Sequence, residues 1–66
     1  MKIILNGEEY LLKGSVSVET LIGDLKLDTR KIAIERNLVI VPRSAYSSTN
    51  FSEGDRVEIV AFIGGG

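Results

Sequence analysis

Gly64, Gly65 and Gly66 come one residue after the alternating run Arg56 to Phe62, and they are the residues here best suited to chemistry. A glycine chain has no side chains, so it enters a slot too narrow for any other residue and carries its α-carboxylate to a reaction inside a partner. The usual catalytic side chains are missing. The 66 residues include no histidine and no cysteine, which removes the common neutral-pH general base, the strongest side-chain nucleophile and the usual zinc ligands. The remaining Ser, Thr, Lys, Tyr and carboxylates show no pairing that reads as a triad, so the chain is not expected to be an enzyme in its own right.

A carboxylate is a poor electrophile because its charge is delocalised and its oxygen leaves badly. Transfer to the α-phosphate of ATP corrects both faults, giving an acyl-adenylate open to a sulfur or nitrogen nucleophile. Carboxylate and triphosphate repel each other, so the activating protein must hold them with Mg²⁺ or with Arg and Lys. This chain has eight basic and nine acidic residues, interspersed, and a net charge of −1. It is expected to bind no cofactor or metal itself and to be the substrate of a partner that uses ATP and Mg²⁺.

The elements that must carry the tail are legible in the patterning. Strands from Lys2 to Asn6 and from Glu8 to Leu12 flank Asn6-Gly7, a dipeptide suited to a tight hairpin because both positions take positive φ. Ser17 is placed to cap a helix whose apolar residues Val18, Leu21, Ile22 and Leu25 fall at i, i+3, i+4 and i+7. Glu19 in the first turn and Lys26 in the last suit the helix dipole. Gly23 is unfavourable in a helix, which points to a close approach to the sheet.

"KIAIERN" and "LVIV" read as two short strands around Arg36-Asn37, ended by Pro42. The polar stretch Arg43 to Asn50 reads as a surface loop with Phe51 anchored beneath it. Arg43 reads as a solvated loop residue, and Tyr46 is a candidate to pack under the loop. A last strand runs from Arg56 to about Phe62. The order β-β-α-β-β-β predicts an α+β roll, about five strands of mixed sheet on one helix, with the last strand parallel to the first. The expected division is a folded domain over residues 1–63 and a flexible glycine tail over 64–66.

If Val57, Ile59 and Ala61 face the core, Val60 and Phe62 stand outside, and Ile4 on the neighbouring first strand is expected to join them in an apolar docking patch. Burying that patch, at roughly 25 cal/mol per Å², offsets the ordering of a few tail residues at about 1–2 kcal/mol each. Balanced charge excludes an electrostatic footprint for nucleic acid or an anionic membrane. No run approaches the roughly 18 apolar residues of a membrane span, and the N-terminus lacks a signal-peptide pattern, so a cytoplasmic protein is expected.

The opening "KIILNGEEY", the middle "AIERNLVIVPRSAY" and the ending "GDRVEIVAFIGGG" resemble, over the whole chain, the sulfur carrier proteins of thiazole synthesis in thiamine biosynthesis, a ubiquitin-like β-grasp family. The resemblance implies that the Gly66 carboxylate is adenylated by an activating enzyme similar to those of the ubiquitin system (E1-like). Conversion to a thiocarboxylate follows, with sulfur from a donor such as a cysteine desulfurase, and the sulfur passes to thiazole synthase. Gly65 and Gly66 match the family's paired terminal glycines, and Gly64 is the variable position before them. A sulfur carrier without cysteine has no side-chain persulfide available, in agreement with sulfur on the terminal carboxylate. Rival readings are the small subunit of molybdopterin synthase, which tends to carry a proline before its Gly-Gly where this chain has "AFI", and a ubiquitin-like modifier that acylates lysines. A third is a β-grasp interaction module with inert glycines.

Overall fold

Asn6 and Gly7 both take positive φ, 50° and 84°, as the tight hairpin between β1 (Lys2–Leu5) and β2 (Glu8–Leu11) requires. The computed structural model describes residues 1–62. After the hairpin come α1 (Val18–Asp24), β3 (Ile32–Arg36), β4 (Val39–Val41) and β5 (Arg56–Ala61). The five strands form one sheet in the order β2-β1-β5-β3-β4, with β1 and β5 parallel and the other neighbours antiparallel. This is the α+β, mixed five-stranded β-grasp arrangement expected from the sequence.

The helix forms where the apolar spacing places it. Ser17 Oγ accepts the N–H of Thr20 at 3.1 Å, and the stripe Val18, Leu21 and Ile22 is buried. Seven residues cannot stabilise a helix alone, so tertiary contacts supply the rest. Two unpaired N–H groups of its first turn, Val18 and Glu19, donate to Thr49 O and Tyr46 O at 2.9 and 3.0 Å. The polar stretch is therefore more than a surface loop: it opens with a 3₁₀ turn at Arg43–Ala45 and buries Tyr46 beside Phe51 in the core. The rest of that core is built from Ile3, Leu12, Val18, Leu21, Ile22, Ile32, Ile34, Val41 and Val57.

Three local expectations are corrected. Lys26 lies beyond the helix with φ 58°, where its backbone N–H closes onto Gly23 O, so it does not serve the last turn. Gly23 is exposed, and a Cβ built on it meets nothing within 4 Å, so no close approach to the sheet explains it. Its φ is not left-handed either. Gly23→Ala is therefore expected to stabilise the fold by about 0.5–1 kcal/mol, seen as a melting temperature several degrees higher. An unchanged or lower melting temperature contradicts the open space described. The turn between β3 and β4 is Asn37-Leu38, one residue later than the pattern suggested. Leu38 takes φ 70° and is 84% exposed, a conformation that disfavours a residue with a Cβ.

Candidate functional site

β5 carries the chain toward the glycines, and its surroundings change along its length. At Val57 it lies between β1 and β3, level with Leu5 and Arg36, and Val57 is buried. The register with β1 ends there. Asn6 then takes over: its N–H donates to Val57 O at 2.8 Å, and its side-chain Oδ1 accepts the N–H of Ile59 at 2.8 Å. A side-chain carbonyl thus stands in for the backbone carbonyl that the hairpin turn has rotated away. Asn6→Gly keeps the left-handed turn and deletes only this bond. It is expected to cost about 1 kcal/mol and to raise hydrogen exchange at the Ile59 amide.

Beyond Ile59, among the described residues, the strand is held on one side alone. Val60 pairs with Ala33, Ala61 with Ile32, and Phe62 N–H donates to Lys31 O at 2.8 Å. Val60 is 53% and Phe62 61% exposed, and Ala61 is exposed too, although its strand parity aims it at the helix side of the sheet. Ala61 was expected inside; β5 has by then outrun the core that would cover it. The last described residues form a strand stub with both faces wet and one edge free of β1.

Ile4 does not join this stub. It lies on the same outer face and is half-buried, but its register partner is Arg56, with Glu9 on its other side. Val60 is four residues further along β5, about 13 Å at the rise of a strand. The neighbours of Val60 come from the opposite side of the sheet, where sequence reasoning did not look. Ala33 is its partner, and in the next row Glu58 faces Glu35, which in turn faces Ile40 on β4. The alternation of "IAIE" places Ala33 and Glu35 on one face, but only the β3–β5 register brings them to Val60. Glu35 directly opposite Glu58 is an unfavourable like-charge pair in the isolated chain.

One buried polar cluster supports the start of β5. Asp55, 6% exposed, accepts from Arg36 Nε at 2.7 Å, Asn37 Nδ2 at 3.0 Å and Ser52 N–H at 2.8 Å. Burial raises the carboxyl's pKa, but these donors outweigh it and hold the group below its ordinary value. Asn37 Oδ1 also accepts the N–H of Arg56 at 2.9 Å. Among the described residues no three acidic side chains converge as a metal site, and no helix is long and apolar enough to cross a membrane. Gly64, Gly65 and Gly66, and the proposed boundary at residue 63, lie outside the described residues.

The model of the ThiS family matches residues 3–66. The chain belongs to that family. The match covers the β5 stub and all three glycines. Among solved structures, the thiamine biosynthesis protein (ThiS) of Geobacter metallireducens superposes with a TM-score of 0.85 at 32% identity, covering 100% of both chains. The sulfur carrier protein ThiS of Bacillus subtilis is 30% identical over 63 residues, which are 94% of this chain and 96% of that protein. A thiazole synthase of Paramagnetospirillum magneticum is 54% identical over all 66 residues. The chain spans 20% of the length of the thiazole synthases it matches.

Proposed function

We propose that this chain is a sulfur carrier of thiamine biosynthesis that works in the cytoplasm and performs no catalysis of its own. The reacting group is the α-carboxylate of Gly66. The observation that carries this reading is that the ThiS family match runs through the glycines to residue 66, which in sequence lie just beyond the exposed Val60 and Phe62.

The chemistry follows from the carboxylate. One of its oxygens attacks the α-phosphate of ATP, pyrophosphate leaves, and an acyl-adenylate forms on the activating partner, which supplies Mg²⁺ and cationic side chains for the phosphates. A sulfur nucleophile from the donor then attacks the carbonyl and AMP leaves. Where the donor is a persulfide the product is an acyl disulfide, and a thiol then attacks its outer sulfur, forming a new disulfide and releasing the thiocarboxylate. That group hands its sulfur to the thiazole-forming enzyme and hydrolysis restores the acid, so the carrier is recycled. Support for thiazole synthase as the receiving partner comes from thiazole synthases that include a segment like this chain.

Docking on the activating partner falls to the outer face at the β5 end. Val60 and Phe62, with Ala33 beside them, supply the apolar contact, and the Glu35–Glu58 pair favours a partner presenting Arg or Lys opposite it. Ile4 stands at the margin of this face, next to Arg56. Gly64 and Gly65 thread the partner's slot, where a side chain would be refused.

The test is direct. The intact protein is incubated with ATP, Mg²⁺, an E1-like activating enzyme and a sulfide source, then weighed by mass spectrometry. The expected result is one terminal oxygen exchanged for sulfur, located on Gly66 by fragmentation. An unchanged mass, with the same enzyme competent on another carrier, defeats the reading. Capture of the adenylate by lysines of other proteins instead would identify a modifier.

A further inference from the structure

The β1 side of β5 ends in an open rung. The bonds from Asn37 N–H to Arg56 O and from Phe62 N–H to Lys31 O turn the even-numbered residues of β5 toward β3, and the register between the two strands keeps that parity. Val57, Ile59 and Ala61 therefore point their backbone groups toward β1. There Asn6 acts as one residue of a parallel strand set between Val57 and Ile59: its N–H donates to Val57 O and its Oδ1 accepts the Ile59 N–H, both at 2.8 Å. The next rung of the same pattern consists of the Ile59 carbonyl and the Ala61 N–H. β1 supplies nothing for it, because the chain has turned back at Asn6-Gly7 into β2. Among the described residues neither group has a hydrogen-bond partner, and Ala61 is exposed.

The hairpin tip beside this rung leaves room. Gly7 carries no side chain, and a Cβ built on it meets nothing within 4 Å. A strand added here continues the line of β1 and runs alongside β5 toward its C-terminal end. One residue of it fits the rung: its N–H donates to Ile59 O and its C=O accepts the Ala61 N–H, as a parallel ladder requires. An antiparallel strand fits less well, since Asn6 already holds the Ile59 N–H and the carbonyl opposite is left unpaired. The residue in the rung lies level with Val60, so its side chain stands on the outer face beside an exposed apolar neighbour. At the β4 edge the way is closed: three residues lead into Pro42, which has no N–H to give.

What fills the rung follows from what comes next in sequence. Gly64, Gly65 and Gly66 have no side chains, so the directional bonds they offer to a protein that holds them are those of the backbone, the bonds that an added strand makes. The rung also adjoins Val60 and Phe62, the apolar contact assigned above to the activating partner. We propose, resting on the sulfur-carrier reading, that the activating partner grips the end of β5 by strand addition. A short extended segment of that partner, with an apolar residue opposite Val60, runs parallel to β5 and closes the rung between Ile59 and Ala61.

The decisive change is a single atom. In the full 66-residue chain made by chemical synthesis, an ester oxygen replaces the Ala61 N–H. This deletes the donor offered to the partner and, within the fold, only weakens the Val60 carbonyl as an acceptor. The same ester at Leu11 is the matched control, because its N–H also points away from the sheet, at the β2 edge, while Tyr10 O faces β1. With an E1-like activating enzyme, the KM for the carrier in ATP–pyrophosphate exchange is expected to rise roughly five- to tenfold for the Ala61 ester and less than about twofold for the Leu11 ester. N-methylation of Ala61, which leaves the Val60 carbonyl intact, should act like the ester. In the parent, hydrogen exchange at the Ala61 amide should slow about tenfold or more when the enzyme binds. A parental KM for both Ala61 variants, an equal loss at Leu11, or an Ala61 amide that exchanges as fast bound as free overturns the proposal. Protection produced only by thiazole synthase, or by a second copy at high concentration, puts another occupant in the rung and overturns it as well. A parent that the enzyme never activates defeats the sulfur-carrier reading and this inference with it, whereas an activated parent with indifferent Ala61 variants defeats this inference alone.

Discussion

Gly65→Ala is expected to fold like the parent and to lose activation by roughly a hundredfold or more, because misplacing a reacting group by about 1 Å is enough for that. With residues 64–66 read as a tail, melting temperature should not move. The comparison that matters is the yield of thiocarboxylate from parent and variant with the same activating enzyme. On the proposed reading the expected loss is in the adenylation step: the added methyl would be refused by a slot shaped for glycine, and the carboxylate would stop short of the α-phosphate. Removing Gly65 and Gly66 together should abolish the reaction and leave thiamine-starved cells unrescued. An alanine variant activated at the parental rate would show that the slot does not read the side chain. The glycines would then act only as a spacer.

Asp55→Asn is expected to be strongly destabilising although it changes the side chain's shape very little. The carboxylate accepts from three donors, Arg36, Asn37 and the Ser52 N–H. An amide cannot serve all three, because its NH₂ group must face a donor. Losing charge-assisted bonds around a buried site costs about 2–4 kcal/mol. A domain of this size is stable by only roughly 3–10 kcal/mol, so a fall in melting temperature of more than about 10 °C is expected. A variant within about 0.5 kcal/mol of the parent would mean that the cluster is solvated rather than structural.

The same site sets an acid limit. The native pKa of Asp55 is depressed, so on acidification the unfolded chain takes up the proton first. Its contribution is complete above the unfolded value, near 3.9, and is lost as pH falls from there through the native value. Parental stability should therefore decline below about pH 4, and Asp55→Asn should flatten that decline. Asp28 is the control. Its bonds from the Arg30 side chain and N–H bring its pKa to about 2, but the pair sits in solvent and is screened, so Asp28→Asn should change the pH profile far less.

Several particulars of this protein were readable in one dimension because they are local. Asn6-Gly7 demands a tight turn, Ser17 precedes an i, i+3, i+4 stripe, and Ile32 and Ile34 alternate, so hairpin, helix and strands follow from neighbouring residues. The absence of histidine and cysteine, with the glycine run, already directed attention to a terminal carboxylate. The family resemblance supplied the sulfur. What required the folded chain were relations between residues far apart in sequence. Ile4 was assigned to the Val60–Phe62 patch from face parity alone. Parity is a property of one strand, whereas adjacency depends on the register between two, and the β1–β5 register puts Ile4 beside Arg56. Ala33, Glu35, Ile40 and the Asp55 cluster became neighbours of the site the same way, by pairings no single segment encodes. Gly23 shows the reverse case: its helical cost was visible in the sequence, but only the packing could reveal that nothing presses against it.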